Sequence, residues 1–128
     1  MGDSKVKNEN MILDFTHVYL DEDIKDIDRF IYIDCSDIQE TDMYCSKNAY
    51  EKIWGRIKPY GIQGIHYIDS GNYHYLSLLW LEKIDSPFVL VLFDHHPDLQ
   101  APSWGKITSC GGWVREALET NPYLEKVY

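Results

Sequence analysis

An apolar run that ends in metal-binding residue types is the most informative stretch of this chain. Residues 88–93 (FVLVLF) lead directly into Asp94, His95, His96, Pro97 and Asp98. Asp94, His96 and Asp98 are spaced by two, so their side chains point to one side if the strand geometry continues past Phe93. Burying this many ionisable groups is costly without a cation, and we therefore predict a metal site here.

The donor set indicates which metals to expect. Two carboxylates and one imidazole suit a hard or borderline divalent cation, so we expect Mn²⁺, with Zn²⁺ and Fe²⁺ as alternatives. On an extended backbone His95 points away from the other three, and we assign it a supporting or packing role beside the ligands.

His74 is a fourth candidate ligand, 20 residues before Asp94. That interval fits about one helix plus a turn and a strand, which would bring His74 to the same end of a sheet. Two other histidines, His17 and His66, fall in strand-like runs, and we assign them to structure. Cys110 lies beside a glycine pair without a visible partner base, so we predict a packing role for it.

Composition and charge exclude several classes of function. The chain has 128 residues, 45% of them hydrophobic, and a formal net charge of −9. That charge argues against binding to nucleic acid or to an anionic membrane surface. No apolar run is long enough to cross a bilayer, and residues 1–10 lack the apolar middle of a signal peptide. The odd number of cysteines, three, indicates reduced thiols and a cytoplasmic protein.

The elements that must position these residues alternate between strand and helix. We predict a disordered leader over residues 1–10 and a single α/β domain over 11–128 with a mainly parallel sheet. Ligands of such folds gather at the carboxyl ends of the strands, where Asp34 and Asp69 also fall. The predicted strands fall in 11–20, 30–37, 64–69, 88–93 and 124–128, and the predicted helices in 46–61, 71–85 and 108–122.

Three of these segments allow finer predictions. The run at 88–93 is continuously apolar, which is typical of a strand covered on both faces. The helix at 46–61 has Ser46 as its expected N-cap. Its expected inward stripe comprises Tyr50, Ile53, Trp54 and Ile57. The residues expected to point inward from the last helix are Trp113, Val114, Ala117 and Leu118.

Two motifs resemble the first metal motifs of the arginase, agmatinase and deacetylase superfamily. They are GNYHY at 71–75 and LFDHHPD at 92–98. The resemblance implies a three-layer α/β/α sandwich and a two-metal site in which activated water attacks a guanidinium or amide carbon of a small-molecule substrate. It implies that His74 and Asp98 bind one ion, that His96 binds the other, and that Asp94 bridges them.

The chain also departs from that family pattern. Asn72 and Tyr73 stand where the family has Gly-Asp, SCGGWV at 109–114 lacks the histidine of arginases, and no Asp-x-Asp follows. We therefore expect residues 11–128 to be the N-terminal portion of a larger arginase-like domain with an incomplete sheet. We expect this chain alone to be weak or inactive as a hydrolase.

Two other interpretations stay open. The sequence Asp94-His95-His96 matches the signature of the DHH phosphoesterases, which also use Mn²⁺, although the nearest upstream acidic segment, 34–42, lacks the histidine of their other motif. Alternatively, the chain is a non-catalytic interaction domain with a relic metal site. An unfinished sheet edge would favour pairing with another chain, including a homo-oligomer.

Overall fold

The computed structural model describes residues 10–21, 23–24, 27–101 and 107–128. The predicted leader lies outside these ranges apart from Asn10. Strands and helices are mixed along the chain, and most strand pairs are parallel, so the fold is of the α/β class. The strands are β1 (Met11–Asp14), β2 (Ile31–Asp34), β3 (Tyr44–Cys45), β4 (His66–Tyr67), β5 (Phe88–Leu90), β6 (Thr108–Ser109) and β7 (Leu124–Val127), and the α-helices are α1 (Lys47–Ile57), α2 (Leu76–Leu81) and α3 (Trp113–Thr120).

In the described ranges the strands form three small sheets. One is parallel with the order β2-β1-β4, another pairs β5 with β7 in parallel, and the third pairs β3 with β6 antiparallel. In the first sheet, Met11 to Asp14 pair with Ile31 to Asp34 in register. The β5–β7 pair is irregular between Phe88 and Val89. The segment after β4 carries His74, and the segment after β5 carries Asp94 and Asp98.

Helix α1 follows the sequence prediction closely. The Ser46 hydroxyl accepts a hydrogen bond from the Ala49 N–H at 3.1 Å, which satisfies one of the free donors of the first turn. Ile53 and Ile57 are fully buried, and Tyr50 and Trp54 are partly buried against the same core. The N-cap and the inward stripe are thus confirmed.

Helix α2 lies at the centre of the core. It begins after a 3₁₀ turn at Gly71–Tyr73, and five of its side chains are buried. These are Leu76, Leu78, Leu79, Trp80 and Leu81. A helix that is apolar nearly all round must be enclosed by other elements, and α2 packs against α3. Among the described residues, no helix has the length and apolar character to cross a membrane.

The first predicted strand is shorter than expected. It ends at Asp14 and is followed by a 3₁₀ turn at Val18–Asp21, and His17 adopts a left-handed backbone with φ 61°. The N–H groups of Phe15 and Thr16, which would extend a strand ladder, donate instead to the Asp69 carboxylate at 2.9 and 3.0 Å. His17 therefore lies outside the strand, whereas His66 lies in β4 as predicted.

The prediction that 88–93 is a strand covered on both faces is wrong. The strand ends at Leu90, and Val89, Val91 and Phe93 are 51%, 56% and 94% exposed. The alternate side chains do pack against the core, so only one face is covered. A continuous apolar run does not by itself show that a second layer lies over it.

Leu118 was also expected to point inward and does not. It is 48% exposed, whereas Trp113, Val114 and Ala117 are buried. Consecutive residues of an α-helix are about 100° apart, so Leu118 is turned away from Ala117 toward the edge of the buried stripe.

Candidate metal centre

Three predicted ligands come together from two segments of the chain. His74 follows the 3₁₀ turn after β4, Asp94 follows β5, and Asp98 precedes α3. His74 Nδ1 lies 3.4 Å from Asp94 Oδ2 and 3.5 Å from Asp98 Oδ2. One ligand atom from each residue falls within 4.8 Å of the other two. We refer to these three residues as the His-Asp-Asp group.

The spacing of these atoms fits a divalent ion. Nitrogen and oxygen ligands about 2.1 Å from a metal, at tetrahedral angles, lie about 3.4 Å from each other. The two carboxylates also bring negative charge that offsets a dication. The His-Asp-Asp group therefore fits a divalent cation, and its spacing does not distinguish among Mn²⁺, Zn²⁺ and Fe²⁺.

Asp98 is the most enclosed member of the group. It is 6% exposed and adopts a left-handed backbone with φ 54°, which aspartate tolerates better than most residues. Burial raises the pKa of its carboxyl group, because the charged form loses hydration. The Trp113 indole N–H donates to Asp98 Oδ2 at 2.8 Å. The sequence predicts that Trp113 packs in the core, and no sequence pattern marks it as a neighbour of a ligand.

Asp94 is held in a different way. The backbone N–H of His96 donates to Asp94 Oδ1 at 3.1 Å, and this bond lowers the pKa of the Asp94 carboxyl group. The Asp94 side chain is 19% exposed. The two carboxylates of the group are thus shifted in opposite directions, one by burial and the other by a backbone donor.

His96 does not join the group, although its spacing predicted that it would. Its side chain is 82% exposed, and its Nδ1 lies 3.7 Å from Asp94 Oδ1. The backbone bends at residues 95 and 96 instead of staying extended, so the period of two is lost after Asp94. His95 is exposed on the same bend.

The group opens into a cleft of about 810 Å³. Apolar side chains at its rim include Met43, Phe93 and Leu99. Cys110 also lines the cleft, and burial raises the pKa of its thiol. The site therefore combines ionic donors with apolar walls, as small-molecule sites commonly do.

Asp34 at the end of β2 and Asp69 after β4 bind backbone N–H groups and nearby side chains, and they are not part of the His-Asp-Asp group. Asp69 accepts bonds from the N–H groups of Phe15, Thr16 and Ser70. Asp34 accepts from the Ser36 N–H at 2.9 Å and contacts His17 Nε2 at 3.1 Å.

The structure also accounts for His66. Its ring packs edge-on against Trp80 with the ring centroids 3.9 Å apart. Burial lowers the pKa of His66, because the protonated ring is poorly solvated there. This agrees with the structural role predicted for it.

Comparisons with known proteins leave the family of the chain open. No family model matches it, and no solved structure does. The chain is similar to an uncharacterized protein of Thermotoga maritima, with 36% identity over 64 residues. That match covers 50% of this chain but only 25% of the relative, so the activity of a longer protein is a matter of proposal.

Proposed function

We propose that the His-Asp-Asp group binds a divalent cation, most readily Mn²⁺, in an arginase-like hydrolase site. The observation that carries this proposal is the convergence of one ligand atom each from His74, Asp94 and Asp98 within 4.8 Å. Zn²⁺ and Fe²⁺ are the alternatives for the same donors. The substrate would be a small molecule with a guanidino or amide C–N bond.

We propose a metal-binding role for each residue of the site. A cation bound there supplies Lewis-acid activation of water and of the bond to be cleaved. His74 and Asp98 would hold one ion, and Asp94 would be the carboxylate available to both that ion and a second one. His96 is the proposed ligand of that second ion, because its ring already lies beside Asp94 Oδ1 at 3.7 Å. His95 is left as a neighbour on the exposed bend.

An arginase-like enzyme would have a larger α/β domain than this chain and a cytoplasmic location. We propose that residues 11–128 are the N-terminal portion of a three-layer α/β/α sandwich. The parallel β2-β1-β4 and β5-β7 pairings and the open face of β5 support it. We also propose a cytoplasmic location, since Cys35, Cys45 and Cys110 are all unpaired thiols.

The DHH phosphoesterase alternative has less support. Its signature would use His95, which is exposed and is not a member of the group. His74 lies outside that signature and yet is a member of the group.

The interaction-domain alternative is favoured by a different observation. Val89 in β5, and Val91 and Phe93 beyond its end, are exposed apolar side chains at alternate positions, which we call the exposed stripe. Contiguous apolar patches on a protein surface commonly mark contact sites, so this stripe suits a partner chain or a second copy of this chain.

Metal titration with an activity assay tests the proposal. We expect isothermal titration of the metal-free chain with Mn²⁺ to show saturable binding at one or two sites. Hydrolysis of arginine, agmatine and an acyl-amide should be slow or absent, because only three ligands converge in the described residues. Absence of saturable Mn²⁺ or Zn²⁺ binding would contradict the metal site, and rapid hydrolysis would contradict the expectation of a weak enzyme.

A further inference from the structure

We infer that Trp113 is a positioning residue for this site, orienting Asp98 by a hydrogen bond while its ring packs on His74. This inference rests on the proposed metal site and assigns the residue that arranges two of the three ligands. Trp113 itself would not touch the metal or the substrate.

One buried side chain makes both contacts. Trp113 is 1% exposed, and its Nε1 donates to Asp98 Oδ2 over 2.8 Å. Its ring lies against the His74 ring with the centroids 5.0 Å apart and the planes inclined by 53°. The indole therefore limits the rotation of a carboxylate and of an imidazole that must face the same point.

The backbone ties Asp98 to the same helix. The Asp98 carbonyl accepts the N–H groups of Val114 and Arg115 at 3.1 and 3.2 Å, so it satisfies donors in the first turn of α3. The loop after Asp98 can approach the start of α3 this closely because residue 112 is a glycine. A Cβ atom at Gly112 would lie 2.8 Å from the Gln100 carbonyl oxygen, so a larger residue would push the loop away.

The hydrogen bond leaves the carboxylate able to bind a cation. A carboxylate oxygen has two lone pairs, and the indole N–H uses one of those on Oδ2. The same oxygen faces His74 Nδ1 at 3.5 Å. Without the indole donor, a carboxylate that is 6% exposed would lose its orienting bond and would be free to turn from His74. Removal of such supporting partners typically weakens metal affinity about 10- to 100-fold.

Trp113→Phe tests the inference because it keeps an aromatic ring and removes the N–H. The matched control is Trp80→Phe. Trp80 is 5% exposed, and its Nε1 has no hydrogen-bond partner among the described residues. By Mn²⁺ titration we expect about 10- to 100-fold weaker binding for Trp113→Phe and an unchanged affinity for Trp80→Phe. Circular dichroism melting of both variants checks that they fold.

A second measurement on the wild-type protein covers the case in which Trp113→Phe does not fold. The ¹⁵N-labelled indole signals, assigned by substituting the other tryptophans one at a time, are followed during titration with diamagnetic Zn²⁺. We expect the Trp113 signal to shift and the Trp80 signal to stay in place. If the wild type binds metal but the folded Trp113→Phe variant binds equally well, or the Trp113 signal is unmoved at saturation, the role of Trp113 is overturned and the metal site stands. A wild type that binds no metal overturns both.

Discussion

His74 Nδ1 lies 3.5 Å from Asp98 Oδ2, although the two residues belong to segments separated by α2 and β5. Asp94 Oδ2 lies 3.4 Å from the same nitrogen. Two explanations account for these short distances. Either the His74 ring forms an ion pair with the carboxylates, or the three residues share a cation. The two differ in whether the affinity for a metal depends on these carboxylates.

Asp98→Asn separates these explanations. The amide keeps the size of the side chain and can still accept the Trp113 N–H, but it removes a negative ligand. If the group binds a cation, Mn²⁺ affinity measured by titration calorimetry should fall by more than about 100-fold, beyond the usual cost of losing a supporting residue. Asp85→Asn is the control, because Asp85 is exposed and lies outside the group. Equal affinities in the two variants would favour the ion pair.

Acid titration of Asp34 should report its local hydrogen bonds. Its pKa is lowered from 3.8 to about 2, chiefly by the side-chain and backbone donors of Ser36 and then by His17. The stabilisation is fully present above the ordinary pKa and is lost as the pH falls through the lowered value. We expect Ser36→Ala to raise the pKa of Asp34. The ¹³C NMR signal of the Asp34 carboxyl carbon, recorded as a function of pH, measures this pKa. An unchanged pKa would assign the effect to the remaining backbone donor or to His17.

Leu79 and Leu118 provide a matched pair for the core. Leu79 is fully buried in α2, whereas Leu118 is 48% exposed on α3. Leu79→Ala should lower the free energy of unfolding by about 2–5 kcal/mol, because it removes buried methyl groups and leaves a cavity. Leu118→Ala should cost less than about 1 kcal/mol. Urea unfolding monitored by circular dichroism measures both, and a comparable loss in the two variants would contradict the observed orientation of α3.

Cys110 should be the first cysteine to react with iodoacetamide in the folded protein. Cys35 and Cys45 are 0% and 2% exposed and their pKa values are raised to about 11, whereas Cys110 lines the open cleft. Burial also raises the pKa of Cys110, so little reactive thiolate is present at neutral pH and alkylation should be slow. The rate should keep rising with pH up to a higher pH than it does for an ordinary thiol. Peptide mass spectrometry locates the adduct. Equally fast modification of Cys45 would contradict this.

Val91→Lys should reduce self-association if the exposed stripe of Val89, Val91 and Phe93 pairs two copies of the chain. A lysine on this face places a charge where an apolar contact would form, and Val91 is 56% exposed, so the monomer should tolerate it. Sedimentation velocity over a range of concentrations measures the effect. Leu20→Lys is the control, since Leu20 is 64% exposed but lies outside the stripe. Equal association of both variants and the wild type would show that the stripe is not the contact.

Local patterns in the sequence were enough to identify several elements and the residue types of the site. Ser46 with the apolar stripe behind it predicted α1, and LEKVY predicted β7. These features depend on neighbours within a few residues, where capping and periodicity act. Residue type and spacing selected Asp94, His96 and Asp98, and the interval of 20 residues added His74, but the group in the structure holds only His74, Asp94 and Asp98.

The tertiary structure decided which of those residues meet and what surrounds them. The strand stops at Leu90 and the chain bends at residues 95 and 96, so Asp94 and Asp98 reach His74 while His96 stays exposed. Trp113 reaches Asp98 only because α3 packs against α2 and its first turn is tied to the Asp98 carbonyl. Such contacts join segments that are distant in the chain. Their geometry depends on how whole helices and strands pack against each other, and this cannot be read from local residue type and spacing.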